Sequence, residues 1–252
     1  MYSLLAALTF FTRLPFWKIA ELPKESYKRV VTFWPLTGWL TGGVMCAVYW
    51  IMAQMFNPII AAVFAIVSRL FVTGALHEDG LADFFDGMGG GTTRSRTLAI
   101  MKDSHIGTYG VIGLILYFLL ATLFIADIGF INVIYVIAVL IAGDAWSKFC
   151  AGQIINFLPY ARKEEEAKNK TIYNRMSTTD IIISFITGSL PLLLLPPALL
   201  PAAAAPVMVS GIIILYLRRR LGGYTGDCCG ALFLMCELYF YITAGLLVNH
   251  SS

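Results

Sequence analysis

Charged residues are scarce in this chain. Only 13% of its 252 residues are Asp, Glu, Lys or Arg, and histidine occurs three times. A soluble domain carries about twice that charged share, so an ordinary water-soluble globule is excluded. The net charge of +3 gives no reason to invoke nucleic acid as a partner. Cysteine is also sparse: Cys46, Cys150, Cys228, Cys229 and Cys236 all lie in or at the ends of apolar runs. None has zinc-ligand spacing with histidine, and the adjacent Cys228–Cys229 pair is not a CxxC motif, which leaves small apolar packing residues. The opening MYSLLAALTFFTRLPFW lacks a small-residue cleavage site, so a removed signal peptide is not expected. An amphipathic segment lying at a membrane interface fits it better. No period of 20–50 residues marks a repeat and no Gly/Ser linker divides the chain, so residues 1–252 read as one domain.

What is abundant is apolar sequence: 58% of residues are hydrophobic, and the mean hydropathy is +0.76. Runs near 34–55, 59–76, 111–126, 131–150, 181–197, 202–217 and 229–248 approach or exceed the ~20 residues that a membrane helix needs. The expected fold is an all-α polytopic membrane helix bundle of about six to seven spans. Arg13, Lys18, Lys24, Lys28 and Arg29 precede the first run, and Arg94, Arg96 and Lys102 follow the second. Arg162, Lys163, Lys168, Lys170 and Arg175 follow the fourth, Arg218, Arg219 and Arg220 the sixth, and the alternate connections hold no Lys or Arg. By the positive-inside rule the N-terminus and the long polar loops, 77–110, 151–180 and 218–228, are cytoplasmic. A protein with its polar length on one face works at that face.

Four of the few acids crowd into LHEDGLADFFDGMGGG, residues 76–91. Asp79, Asp83 and Asp86 are spaced i, i+4 and i+7, which on a helix is a stripe about 60° wide. The helix is expected to continue the second span into the cytoplasm. Three carboxylates on one stripe repel, and a divalent cation relieves the repulsion. Hard oxygen donors without thiol or imidazole suit Mg²⁺, which keeps waters and commonly shares its shell with substrate phosphates. His77 falls about 160° round the wheel from the stripe, where a hydrogen-bonded helix histidine is expected. Glycines that include Gly89 and Gly90 follow, and such a run lets backbone N–H groups approach an anion. Arg94, Arg96 and Lys102 add positive charge nearby. There is no GxxxxGK[ST] and no GxGxxG.

Two further polar stations follow. TTRSRTLAIMKDSHIG reads as a surface helix capped by threonine and ending at Gly107. It carries Asp103, a candidate ligand or general base, and His105, a candidate proton carrier. RRRLGGYTGDCCG, residues 218–230, sets Asp227 at the start of the last span as an N-cap or a base. Within the spans, Asp144 has Lys148 at i+4 as a ready ion-pair partner, while Glu237, ten residues deeper in the last span, is a functional candidate as an intramembrane acid.

FFTRLP, FWPLTGWLTG, HEDGLADFFDG, IMKDSHIGTYG, LPYAR at 158–162 and LGGYTGD, spread over nearly the whole chain, resemble the cobalamin synthase (adenosylcobinamide-GDP ribazoletransferase) family. The family motif more often reads HLDGLAD, so Glu78 adds an acid off the stripe, and the Glu164–Glu166 run replaces a glycine-containing stretch. The resemblance implies a Mg²⁺-dependent enzyme of the prokaryotic cytoplasmic (inner) membrane, surrounded by lipid. It would join adenosylcobinamide-GDP to α-ribazole, or its 5′-phosphate, and release GMP. It leaves room for a homo-oligomer. The rival readings are another membrane transferase of pyrophosphate esters, of phospholipid-headgroup or prenyl type, and a transporter, which predicts repeats and acids spread through the spans; a CDP-alcohol enzyme is disfavoured because DGLAD runs on into Phe84 and Phe85 instead of DGxxAR.

Overall fold

A computed structural model describes residues 2–162 and 173–251. The expected contributions of Lys163, Lys168, Lys170 and the Glu164–Glu166 run lie outside the described residues. Eleven α-helices follow in order: α1 (Tyr2–Phe11), α2 (Trp34–Ala53), α3 (Pro58–Thr73), α4 (Leu76–Gly90), α5 (Arg94–Ile100), α6 (Thr108–Ile131), α7 (Val133–Gly152), α8 (Ile154–Phe157), α9 (Thr178–Ser189), α10 (Ala204–Arg220) and α11 (Gly226–Ser251). Tighter 3₁₀ stretches run over Lys24–Phe33 into α2, over Leu190–Leu194 after α9, and over Pro197–Ala203 into α10. Among the described residues there is no strand, only an isolated bridge between Tyr160 and Tyr224.

The chain is an all-α polytopic membrane bundle. Among the described residues, five helical segments are long and apolar enough to cross a membrane, or six if α3 and α4 count as one bent span. The expected run at 181–197 does not form a seventh. Its α-helix stops at Ser189, and the chain tightens through Leu190–Leu194 around Pro191, which has no amide hydrogen to continue the ladder.

The second run also departs from expectation. Asn57 caps α3 by accepting from the Ile60 amide, with Pro58 at the first turn. The helix ends at Gly74 (φ 65°), and Ala75 follows with φ 56°. Two successive left-handed residues turn the chain, so α4 leaves α3 at 94° and does not continue it. The left-handed backbone favours glycine at Gly74, where a Cβ would also meet the Arg13 side chain at 2.2 Å.

α7 lies at the centre, packed against α2, α9, α10 and α11. It buries Asp144 to Lys148 consecutively, the mark of a helix enclosed on all sides. α2 reaches it closely because Gly38 and Gly42 face the backbones of Ala145 and Ile141, where a Cβ would sit 2.8 and 2.9 Å away. Charges inside the bundle are paired. The Lys148 ammonium pairs with Asp144, and Thr41 Oγ1 donates to Asp144 Oδ2 (2.7 Å). Arg69 of α3 pairs with Glu237 of α11, while the Tyr117 and Tyr241 hydroxyls donate to the same carboxylate at 2.8 Å. Glu78 Oε1 lies 3.5 Å from the Arg69 guanidinium.

Two expectations follow. Gly74→Val should destabilise the protein by about 1–2 kcal/mol or more from the left-handed backbone alone; Gly211→Ala, where a Cβ meets nothing within 4 Å, should not. Thermal melts in lipid nanodiscs compare them. Arg69→Met leaves the Glu237 carboxylate buried without its cation and should cost about 3–5 kcal/mol. The double variant Arg69→Met/Glu237→Leu should recover part of that loss in the same melts, although Tyr117 and Tyr241 lose their acceptor.

Candidate active site

The site forms where α4 crosses the start of α11. Gly80 of α4 faces the Asp227 backbone, where a Cβ would lie 3.0 Å from the Asp227 carbonyl oxygen. Gly230 of α11 faces His77, with the corresponding distance 3.2 Å. Each helix thus offers a glycine to the other's backbone, and the crossing is close. Thr225 Oγ1 accepts from the Cys228 amide at the head of α11, so Thr225 acts as the N-cap and Asp227 is freed from that role. Asp227 instead comes beside the acidic stripe: carboxylate oxygens of Asp79, Asp83 and Asp227 all lie within 4.8 Å of one another. Asp79 is exposed, Asp83 half-buried and Asp227 buried, so the cluster opens on one side.

Asp86, expected with Asp79 and Asp83, is placed otherwise. Its carboxylate accepts from the Gly107 amide at 2.7 Å and the Gly110 amide at 2.8 Å. Gly107 stands at the N-cap of α6 and does not end α5, which stops at Ile100. A glycine cap has no side-chain acceptor, and Asp86 supplies one from the neighbouring helix; it also places negative charge at the positive end of the α6 dipole. The expected ligand is thus engaged as a helix cap.

The glycine run is a packing surface. Gly89 and Gly90 lie in the last turn of α4, and the Tyr109 ring covers Gly89 so closely that a Cβ would sit 2.5 Å from it. Gly87 likewise takes the Met101 side chain. Gly89 and Gly90 stay exposed but are helical, so the expected loop of free backbone amides is not formed there.

A cavity of ≈ 150 Å³ opens beside the carboxylates, lined by Asp79, Asp227 and Arg162 and walled by Phe11, Trp34, His77, Tyr160 and Tyr173 among others. Next to it, sharing Tyr160 and Arg162, is a more open basin of ≈ 580 Å³ lined also by Arg94 and Lys102. Arg94 donates to the carbonyl oxygens of Leu221 and Ala161, both at 2.7 Å, and Arg162 donates to Leu98 O at 2.9 Å. Arg220 reaches the carbonyls of Gly91 and Thr92. These arginines knot the three polar connections into one surface. Arg96 is exposed and does not line the basin. Burial raises the Tyr160 hydroxyl above its ordinary value, against the opposing pull of Arg162, so it stays a neutral donor.

Asp103 and His105 form an exposed pair, Oδ1 to Nδ1 at 2.7 Å. The His105 amide and ring bonds hold the Asp103 carboxyl below its usual range, and Asp103 is not a member of the carboxylate cluster. The sequence reading missed Tyr160, Trp34 and Tyr173 as site residues and took Arg162 only as a topology marker; the available signal was LPYAR, an arginine beside a tyrosine in a polar loop. It also expected a satisfied His77, whereas both ring nitrogens are buried with no hydrogen-bond partner.

The family model for cobalamin-5-phosphate synthase matches residues 3–245. A protein of Shewanella halifaxensis is 36% identical over 94% of this chain and 92% of its own length, and one of Vibrio cholerae is 33% identical over 98% and 94%. Both are named adenosylcobinamide-GDP ribazoletransferase. No solved structure gives a significant match. A family match that runs through every element of the bundle and both helices of the carboxylate cluster establishes that this chain is an enzyme belonging to the cobalamin-5-phosphate synthase family.

Proposed function

We propose that the chain transfers the corrinoid phosphoryl group of adenosylcobinamide-GDP to a hydroxyl of α-ribazole, or its 5′-phosphate, and releases GMP. The observation that carries this reading is the cluster of Asp79, Asp83 and Asp227 at the meeting point of an aromatic cavity and a basic basin. Its donor set is all carboxylate oxygen, open on one side, which fits Mg²⁺ with water and phosphate completing the shell. Bound there, Mg²⁺ would neutralise pyrophosphate charge.

The residues of the chain then divide the work. Lys102 and Arg162 steady the charge that builds on the departing GMP, with Arg94 holding the basin wall in place. The acceptor oxygen forms a bond to the cobinamide-side phosphorus as the bond from that phosphorus to the bridging oxygen breaks, and GMP leaves with the bridging oxygen. The hydroxyl proton passes to a carboxylate. We assign it to Asp227 in preference to Asp103, because Asp227 belongs to the carboxylate cluster where the acceptor would meet the pyrophosphate and Asp103 does not. The basic residues of the polar loops favour a cytoplasmic setting for this face, in the cytoplasmic membrane of a prokaryote, where both water-soluble substrates can reach it.

GMP release by purified protein in nanodiscs, followed across a Mg²⁺ titration, tests the assignment. Asp79→Asn, Asp83→Asn and Asp227→Asn should each lower turnover by about 100-fold or more, the scale of one lost charge-stabilising group. Asp86→Asn should lower thermal stability, because one of its two amide bonds would face an NH₂ group, while leaving the Mg²⁺ midpoint of the remaining activity unchanged. Near-normal turnover by Asp227→Asn at limiting Mg²⁺ would sink the assignment.

A further inference from the structure

The carboxylates and the basin account for the pyrophosphate but not for the aromatic end of the cavity. There Phe11, Trp34 and His77 form three nearly parallel rings: Phe11 and Trp34 are 5.0 Å apart between centroids with planes at 10°, Trp34 and His77 5.7 Å at 17°, and Phe11 and His77 6.2 Å at 12°. On another side the Phe233 ring lies against His77 at 4.9 Å, and the Lys148 ammonium in turn lies over Phe233. His77 is 2% exposed and Trp34 1%. Yet neither imidazole nitrogen has a hydrogen-bond partner within the protein, and neither has the Trp34 Nε1–H. Among the described residues lining the cavity, these are the buried side-chain nitrogens and oxygens without one. An unmet polar atom in so apolar a wall costs folding free energy and marks a place that a ligand completes.

We infer that this end of the cavity binds the base of the acceptor, a benzimidazole-type riboside, and that His77 donates a hydrogen bond to the unsubstituted ring nitrogen. The inference rests on the transfer proposed above, because it names the subsite that the acceptor uses. Flat apolar walls suit a bicyclic arene, which stacks on Phe11 and Trp34. A benzimidazole riboside offers a single in-plane acceptor, which one imidazole N–H satisfies. Guanine and the adenine of the adenosyl group, the other bases in the reaction, each present several donors and acceptors on their edges and would leave most of them unmet here. With the base at His77, the sugar extends toward Asp79 and Asp227, which line the same cavity. The acceptor hydroxyl is thereby delivered to the carboxylate cluster.

The test compares α-ribazole with the analogue in which the ring nitrogen is replaced by C–H, an indole riboside, by calorimetry on the full chain in nanodiscs. Wild-type protein should bind α-ribazole about tenfold or more tightly than the indole analogue, the scale of one buried hydrogen bond. His77→Phe should bind the two alike, and His77→Asn, which keeps a donor, should retain part of the preference. The KM for adenosylcobinamide-GDP should stay within about twofold in both variants, as expected where only the acceptor subsite changes. Wild-type protein that fails to distinguish the two ribosides would overturn the inference without recourse to any variant. So would an unchanged preference in His77→Phe, or a rise confined to the KM of adenosylcobinamide-GDP, which would give the pocket to that substrate. Riboside binding with the expected preference but no GMP release by wild-type protein would overturn the transfer reaction and leave the base pocket standing.

Discussion

The close approach of α4 and α11 is the constraint on which the rest of the structure depends. It is possible because Gly80 and Gly230 each face the other helix's backbone, where a Cβ would be crowded at 3.0 and 3.2 Å. It is useful because it happens one residue from Asp79 and directly at Asp227, so two acids far apart in sequence reach one small volume. The approach in turn requires α4 to leave the axis of α3. The two left-handed residues Gly74 and Ala75 provide that turn, and the latter carries a steric cost that the surrounding packing must offset. Backbone geometry, helix packing and the placement of carboxylates are successive consequences of the same few small residues.

Beneath the site the bundle solves a second problem, the burial of charge in an apolar interior. Arg69 ties α3 to α11 through Glu237, and Tyr117 and Tyr241 fill the remaining acceptor sites of that carboxylate. Lys148, Asp144 and Thr41 do the same for α7 and α2. Such pairs add little net stability over a well-packed apolar core, but removing one partner is severe, so they fix the relative positions of the helices that carry them. α2, α3, α7 and α11 are therefore held in register within the bundle, while the arginines of the polar loops hold those loops together.

Local features were legible in the sequence and long-range ones were not. The one-sided polar length, the all-helical class and the Asp144–Lys148 pair follow from hydropathy and i+4 spacing, which are properties of one element at a time. The stripe of Asp79, Asp83 and Asp86 was read from the same periodicity, and here it misled: Asp86 does share the helix, but the amides of Gly107 and Gly110, which belong to another helix, claim it. Asp227 was visible as a polar residue at a helix start, yet nothing local said that it would join acids on α4. The partner of Glu237 lies 168 residues away on α3, beyond any periodic pattern. Glycines were misassigned for a related reason. A glycine that admits an anion and one that admits a tyrosine ring look alike in sequence, and only the neighbour decides.

The central claim, that carboxylates from α4 and α11 jointly hold a divalent cation against the pyrophosphate, is tested most directly with Mn²⁺ in place of Mg²⁺. Electron paramagnetic resonance of the protein in nanodiscs would register bound Mn²⁺, and electron–nuclear double resonance would register its distance from phosphorus when adenosylcobinamide-GDP is added. The account predicts a Mn²⁺ ion displaced by Mg²⁺, with strong ³¹P coupling in the presence of the substrate, and loss of that ion in Asp227→Asn. Mn²⁺ held as tightly without the Asp227 carboxylate, or bound Mn²⁺ with no phosphorus coupling, would contradict it.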